Sequence, residues 1–137
     1  AIGSRGGNPA KGVSTTPVAG GFRWTCHWLG TEQHYHRTSI TGVFNNGTLG
    51  MVRQWQHLID HEQYSQTTLD RGPDFVKLAE AYGLRGFRVR TREEMERTLD
   101  EALVSGTGAV IDCMLDLDEM VRPLVAAGSP ITDFLPD

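Results

Sequence analysis

Residues 109–113, Ala-Val-Ile-Asp-Cys, read as a strand with no side left over for solvent. An almost uninterrupted apolar strand belongs inside a sheet that is covered on both faces. That requires helices above and below it, and the chain supplies them. Pro73 suits the first position of one helix, with Phe75, Leu78, Ala79 and Tyr82 on its inner face and Gly83 as its stop. Thr91 with Glu94 three residues on makes a capping box for a second helix. Met95, Leu99, Ala102 and Leu103 turn inward on it, and Gly106-Thr107-Gly108 ends it. Ile40-Thr41-Gly42-Val43-Phe44 and Phe87-Arg88-Val89 are further short strands. Strands alternating with helices of about ten residues imply an α/β fold, a mostly parallel sheet flanked by helices.

Composition removes several classes. The 137 residues are 39% hydrophobic, 22% charged and 8% aromatic, enough for one core that buries roughly two-thirds of the unfolded surface. No stretch approaches the ~20 apolar residues of a membrane span. A net charge of −4 with pI near 5.7 gives no support to nucleic-acid binding. Cys26 and Cys113 make neither a disulfide framework nor a zinc site, which fits a reducing cytoplasm. There is no signal pattern and no initiator Met, so the chain reads as a single-domain fragment.

Charge is uneven along the chain. Residues 1–50 hold four basic residues (Arg5, Lys11, Arg23, Arg37) against one acid, Glu32, while residues 51–137 hold nine against sixteen. The first 50 residues also carry ten of the sixteen glycines. The front, 1–39, is therefore expected to be a loop-rich ligand-facing segment or poorly formed. Residues 40–122 read as the well-patterned core, and the tail 123–137, with three prolines, is expected to wander over the surface.

Asn45-Asn46-Gly47-Thr48-Leu49-Gly50 follows a strand and precedes a helix, the position where open parallel sheets bind ligands. Asparagine side chains and free carbonyls are hard oxygen ligands, and a helix start favours phosphate. The turn suits a phosphate–magnesium site, or it is an Asn-Gly turn with no ligand. On the helix from Leu49 to Ile59 the apolar residues fall in two stripes: Met51, Trp55 and Leu58, and beside them Leu49, Val52 and Ile59.

The run Asn45-Asn46-Gly47-Thr48-Leu49-Gly50-Met51-Val52-Arg53-Gln54-Trp55-Gln56 closely resembles the cofactor-proximal segment of acetohydroxyacid synthase (acetolactate synthase) catalytic subunits. The resemblance runs on through Tyr64-Ser65, Pro73 to Gly83, Val110 to Cys113 and Val121 to Gly128, and more loosely through Ala1-Ile2-Gly3, Asn8-Pro9 and Thr25-Cys26-His27. It implies the C-terminal thiamine diphosphate-binding domain of an enzyme that condenses pyruvate with a second 2-oxoacid, in branched-chain amino-acid synthesis. By that resemblance Asn46 (side chain) and Thr48 (carbonyl) hold Mg²⁺. Gly20, Gly21, Leu49, Gly50 and Met51 border the cofactor, and Trp55 shapes the substrate channel, so that one stripe of the helix packs the core and the Met51–Trp55 face lines the site.

The front departs from the family. Counting back 27 residues from Asn46 lands on Ala19, where the resemblance places the metal-binding Asp of a Gly-Asp-Gly motif. Losing that carboxylate removes the main anionic ligand of a Mg²⁺ site. Pro17 also falls where a central strand needs a ladder donor. Either the copy is catalytically impaired, or residues 14–39 were misread or have drifted. The family's activating Glu lies on a different domain of a neighbouring subunit and its FAD on a middle domain. No catalytic residue is expected here, and the isolated piece should be inactive. The implied partners are the enzyme's other domains and subunits, a homodimer or tetramer, and a regulatory subunit, in the cytoplasm or a plastid or mitochondrion. Two alternatives stand beside this: another thiamine diphosphate decarboxylase or lyase, and a degenerate fragment keeping only an oligomerisation surface.

The remaining motifs have plainer readings. His57 and His61, four apart, read as solvent-facing helix residues; Cys26, His27, His34 and His36 lack a metal-ligand spacing; Cys113 reads as a core residue. Arg85, Arg88, Arg90 and Arg92 before Glu93, Glu94 and Glu96 read as a solvated mixed-charge surface, and Arg53 faces either an acidic substrate or solvent.

Overall fold

The computed structural model describes residues 13–35, 38–126 and 128–134. The elements run β1 (Val13–Thr15), α1 (Ala19–Thr25), α2 (Trp28–His34), β2 (Ser39–Asn45), α3 (Gly50–Leu58), α4 (Phe75–Ala81), β3 (Arg85–Val89), α5 (Arg92–Ser105) and β4 (Ala109–Met114). The strands form one sheet in the order β1-β2-β4-β3, and every pairing is parallel. β4 is central, with Ile40–Asn45 of β2 on one side and Arg85–Val89 of β3 on the other.

Strand alternation sorts the core into two layers. Val110 joins Phe22, Leu29, Val43, Phe75 and Ala79 under α1, α2 and α4. Ala109, Ile111 and Cys113 join Ile40, Val89 and Ala102 under α5. Phe22 is the hub of the first layer, edge-on to Phe75 at 5.5 Å and to Trp28 at 6.4 Å. The α/β sheet covered on both faces is as the apolar β4 required.

Several local expectations change. The described part of the front, residues 13–35, forms a strand and two short helices, burying Ala19, Phe22, Leu29 and Glu32. Pro17 does no harm: β1 is an edge strand among the described residues, Pro17 lies beyond its end, and its carbonyl accepts from the Phe44 N–H at 3.0 Å. Pro73 is not the first helical residue. Asp74 is the cap of α4, its carboxylate accepting from Val76 N at 3.1 Å and Lys77 N at 3.4 Å, because a side-chain acceptor satisfies free N–H groups that proline cannot. On α5 the capping box forms as read, with Gly106 (φ 68°) closing it, but Leu103 is 62% exposed. It follows buried Ala102 by one residue, about 100° around the helix.

The two apolar stripes of α3 are also revised. Leu49, Met51, Val52, Leu58 and Ile59 are all exposed, and the one buried residue of the helix is Gln54. Its side chain clips the segment just before the tail, donating to Val121 O and accepting from Val121 N, both at 2.9 Å. Arg53 bonds Asp118 at 2.7 Å and covers the Tyr64 ring at 3.7 Å. Polar bonds to Ser65, Asp118 and Val121, more than buried apolar side chains, join α3 to the rest of the chain. The tail stays mostly on the surface, closed by a Val125–Phe134 bridge.

Candidate functional site

The turn between β2 and α3 lies at the carboxyl end of the sheet, and two successive asparagines wind it. Asn45 Oδ1 accepts from Gly47 N, and Asn46 Oδ1 from Thr48 N, each at 3.2 Å. Gly47 holds φ 67°, a left-handed conformation that glycine takes without strain. At Gly50 a Cβ would sit 2.9 Å from Asn46 Nδ2, so a larger residue there would displace the Asn46 amide from its place in the turn. The 67–69 segment lies along the turn through Leu49 N to Thr67 O (2.8 Å) and Leu69 N to Gly47 O (2.7 Å). Thr48 is buried, and its hydroxyl has no hydrogen-bond partner.

A cavity of about 350 Å³ opens beside the turn. Its lining includes Ala19, Asn45, Asn46 and Gly47 together with Arg23, Asp70, Pro73 and Phe75. A second recess of about 500 Å³ adjoins it between Gly20, Trp24, Leu49 and Leu69. The structure thus brings Ala19 and Asn46 to one cavity and Gly20 and Leu49 to the next. Thr48 is buried in the turn, Gly50 borders a narrow crevice with Arg53, Met51 is half exposed, and Trp55 is half-buried. Gly21 is exposed and borders neither cavity.

Behind the turn runs a chain of charged hydrogen bonds. Asp112 of β4, 1% exposed, accepts from Asn45 Nδ2 at 2.8 Å and from Arg88 Nε at 3.0 Å. Arg88 Nη2 reaches Asp74 at 2.8 Å. Desolvation works against the Asp74 charge, but the Lys77 and Val76 N–H groups and the Arg88 guanidinium hold its carboxyl below the usual range. Arg88 therefore does not belong to a merely solvated surface. Arg92, paired with Glu96 one turn on, does.

The other motifs resolve plainly. α3 ends at Leu58, so His61 leaves the helix with φ 50°, while His57 Nδ1 lies 3.0 Å from the Tyr64 hydroxyl. Cys26 is half-buried, His27 and His34 are exposed, and His36 lies outside the described residues, as do Ala1 to Gly3 and Asn8-Pro9. No group of three or more metal-ligating side chains occurs among the described residues. Burial pushes the Cys113 thiol up to about 11, consistent with its core position.

The family model for the thiamine pyrophosphate enzyme C-terminal TPP-binding domain matches residues 11–113. The chain belongs to that family. Relatives include the acetolactate synthase of Arthrospira platensis, 35% identical over 98% of this chain and 24% of that protein. The isozyme 2 large subunit of Escherichia coli is 34% identical over 98% of this chain and 25% of its own length. The chain thus spans about a quarter of these relatives. Among solved structures, the Rhodococcus jostii thiamine diphosphate-dependent 4-hydroxybenzoylformate decarboxylase superposes with a TM-score of 0.77 at 26% identity, covering 86% of this chain and 22% of that one.

The donors present fit thiamine diphosphate better than they fit its usual metal. The cavity is of ligand size and lies at the strand ends, where this thiamine diphosphate-binding domain has its Asn-Asn turn. Mg²⁺ wants octahedral oxygen ligands that include carboxylate. Asn46 Oδ1 and the Thr48 carbonyl are neutral, and Ala19 presents only a methyl group, 3% exposed. Among the described residues the one carboxylate on this cavity, Asp70, is 72% exposed at the side chain and 3.8 Å from Arg71. The described residues do not complete a magnesium site. Sequence reasoning had Asn45 only as part of the candidate turn, and missed Arg23 and the Asp112–Arg88–Asp74 chain. The legible signal was Asp112 itself, a carboxylate inside a strand with no solvent face.

Proposed function

We propose that the chain supplies the cofactor-binding wall of an acetolactate synthase catalytic subunit, acting on pyruvate and a second 2-oxoacid in branched-chain amino-acid synthesis. The observation that supports this most is the single cavity joining Ala19, Asn46 and Gly47 at the carboxyl ends of β1 and β2. When bound, thiamine diphosphate supplies the carbanion chemistry, and the protein supplies binding and orientation. In this reading Gly20, Asn46, Thr48, Leu49, Gly50 and Met51 border the cofactor, Gly21 follows Gly20 on α1 outside both cavities, and Trp55 borders the substrate. The activating Glu and an FAD site belong to other domains, and a dimer or tetramer with a regulatory subunit completes the enzyme. The exposed apolar side of α3 accords with cover from such neighbours. With Ala19 in place of a carboxylate, Mg²⁺ is held weakly and this copy is impaired, in the cytoplasm or an organelle.

The test is a hybrid enzyme. The matching C-terminal quarter of the Escherichia coli isozyme 2 large subunit is replaced by this chain, with and without Ala19→Asp, and acetolactate formed from pyruvate is measured. The Ala19→Asp hybrid is expected to exceed the unrestored one by about tenfold or more, the effect of a lost charged ligand. Folded hybrids that both form no acetolactate would refute the reading. The decarboxylase neighbour favours a second reading, another thiamine diphosphate decarboxylase, which release of CO₂ without acetolactate would reveal.

A further inference from the structure

We propose that Asp112 is a positioning residue: it fixes which way round the Asn45 amide points and thereby holds the ligand turn Asn45–Thr48 in its binding shape. An asparagine amide is nearly symmetric in shape, and its partners decide its orientation. Nδ2 of Asn45 faces Asp112 Oδ1 at 2.8 Å, which leaves Oδ1 to accept the Gly47 N–H at 3.2 Å. An ionised carboxylate only accepts, so it pairs with Nδ2 and can never present a hydrogen to Oδ1. Arg88 donates to the second oxygen of Asp112 at 3.0 Å and so keeps this buried carboxylate paired. If the amide turned over, its NH₂ would meet the Gly47 N–H, donor against donor, and the turn would lose its first bond.

The same chain of bonds links segments that line the cavity. Asn45 and Gly47 line it, and the second arm of Arg88 reaches Asp74, which caps α4 between the lining residues Pro73 and Phe75. Asp112 is not itself a lining residue; it acts through Asn45 and Arg88. The ligand class rests on the function proposed above, but the geometry of the turn does not.

The test exploits polarity rather than size. In Asp112→Asn, Arg88 Nε retains the new amide's oxygen, so its NH₂ faces Asn45 and forces that amide over. Adding Asn45→Asp puts an acceptor-only group where both the introduced NH₂ and the Gly47 N–H need one. The net charge of the pair is then unchanged from wild type. Two readouts are taken on the whole 137-residue chain: exchange protection of the Gly47 amide by NMR without ligand, and thiamine diphosphate affinity by titration. Asp112→Asn is expected to lose Gly47 protection and about tenfold in affinity, the worth of one hydrogen bond in a low-dielectric site. The double variant is expected to regain both to within about threefold. Asn45→Asp alone, which sets two carboxylates together, should be the worst of the three.

A double variant no better than Asp112→Asn overturns the proposal, as does Asp112→Asn with Gly47 unchanged. If Asp112→Asn does not fold, the double variant still decides, because it must fold and protect Gly47. A wild-type chain that binds no thiamine diphosphate defeats the function proposed above, while the Gly47 amide still tests the positioning.

Discussion

Replacing Gly86 by alanine tests how closely the sheet and α4 are packed. A Cβ at Gly86 would lie 2.6 Å from the Val76 carbonyl oxygen and 2.9 Å from both Val76 Cα and Cγ1. Carbon atoms prefer about 3.5–4.0 Å, so α4 must retreat by roughly half an ångström or more. Two of the three atoms are backbone and cannot rotate away. Overpacking of this kind costs about 1–3 kcal/mol, against about 0.5–1 kcal/mol recovered by removing a glycine from a strand. The expected net loss is about 1 kcal/mol. With a urea slope of roughly 1–3 kcal/mol/M, the midpoint should fall by about 0.5 M. Gly21→Ala is the matched control. It lies within α1, and its nearest new neighbour would be Val18 Cγ2 at an ordinary 3.8 Å, so the same change there should stabilise by up to about 1 kcal/mol. Urea denaturation followed by circular dichroism reads both. A Gly86→Ala midpoint at or above wild type would refute the packing argument.

Thr91→Ala removes the side-chain half of the α5 capping box. It should cost about 1 kcal/mol and lower the thermal midpoint by about 4 °C. Glu32 is buried against the Ser39 hydroxyl, and desolvation raises its pKa above 4.5, outweighing that hydrogen bond. The unfolded chain therefore loses this proton first as pH rises, and stability falls between the unfolded value and the raised folded one. Glu32→Gln should flatten that fall, which denaturation at a series of pH values measures. Cys113, with its thiol at about 11 and buried, should resist iodoacetamide at pH 8 in the folded chain while half-buried Cys26 reacts; peptide mapping distinguishes the two.

What could be read from residues alone followed local rules that tertiary structure did not override. The apolar run at Ala109–Cys113, the Thr91–Glu94 box, and Gly83 and Gly106 as stops act within a few residues, and each is found in place. The departures came from partners distant in sequence. Nothing near Gln54 announces that its amide will clip Val121, 67 residues on, and leave the apolar sides of α3 exposed. Arg88 sits in a run of like charges, yet its partners are Asp112 and Asp74, 24 and 14 residues away. Pro17 would be damaging in a central strand, but among the described residues β1 is an edge strand, which tolerates a proline beyond its end. Ala19 and Asn46 were paired by spacing, and they do share a cavity.

The most direct measurement is calorimetric titration of thiamine diphosphate into the chain, with and without Mg²⁺, beside the Ala19→Asp variant. Saturable one-to-one binding is expected, changed little by Mg²⁺ in the chain as it stands, and becoming tighter and metal-dependent once the carboxylate is restored. Absence of binding by both proteins at millimolar cofactor would contradict a cofactor-binding role for this chain.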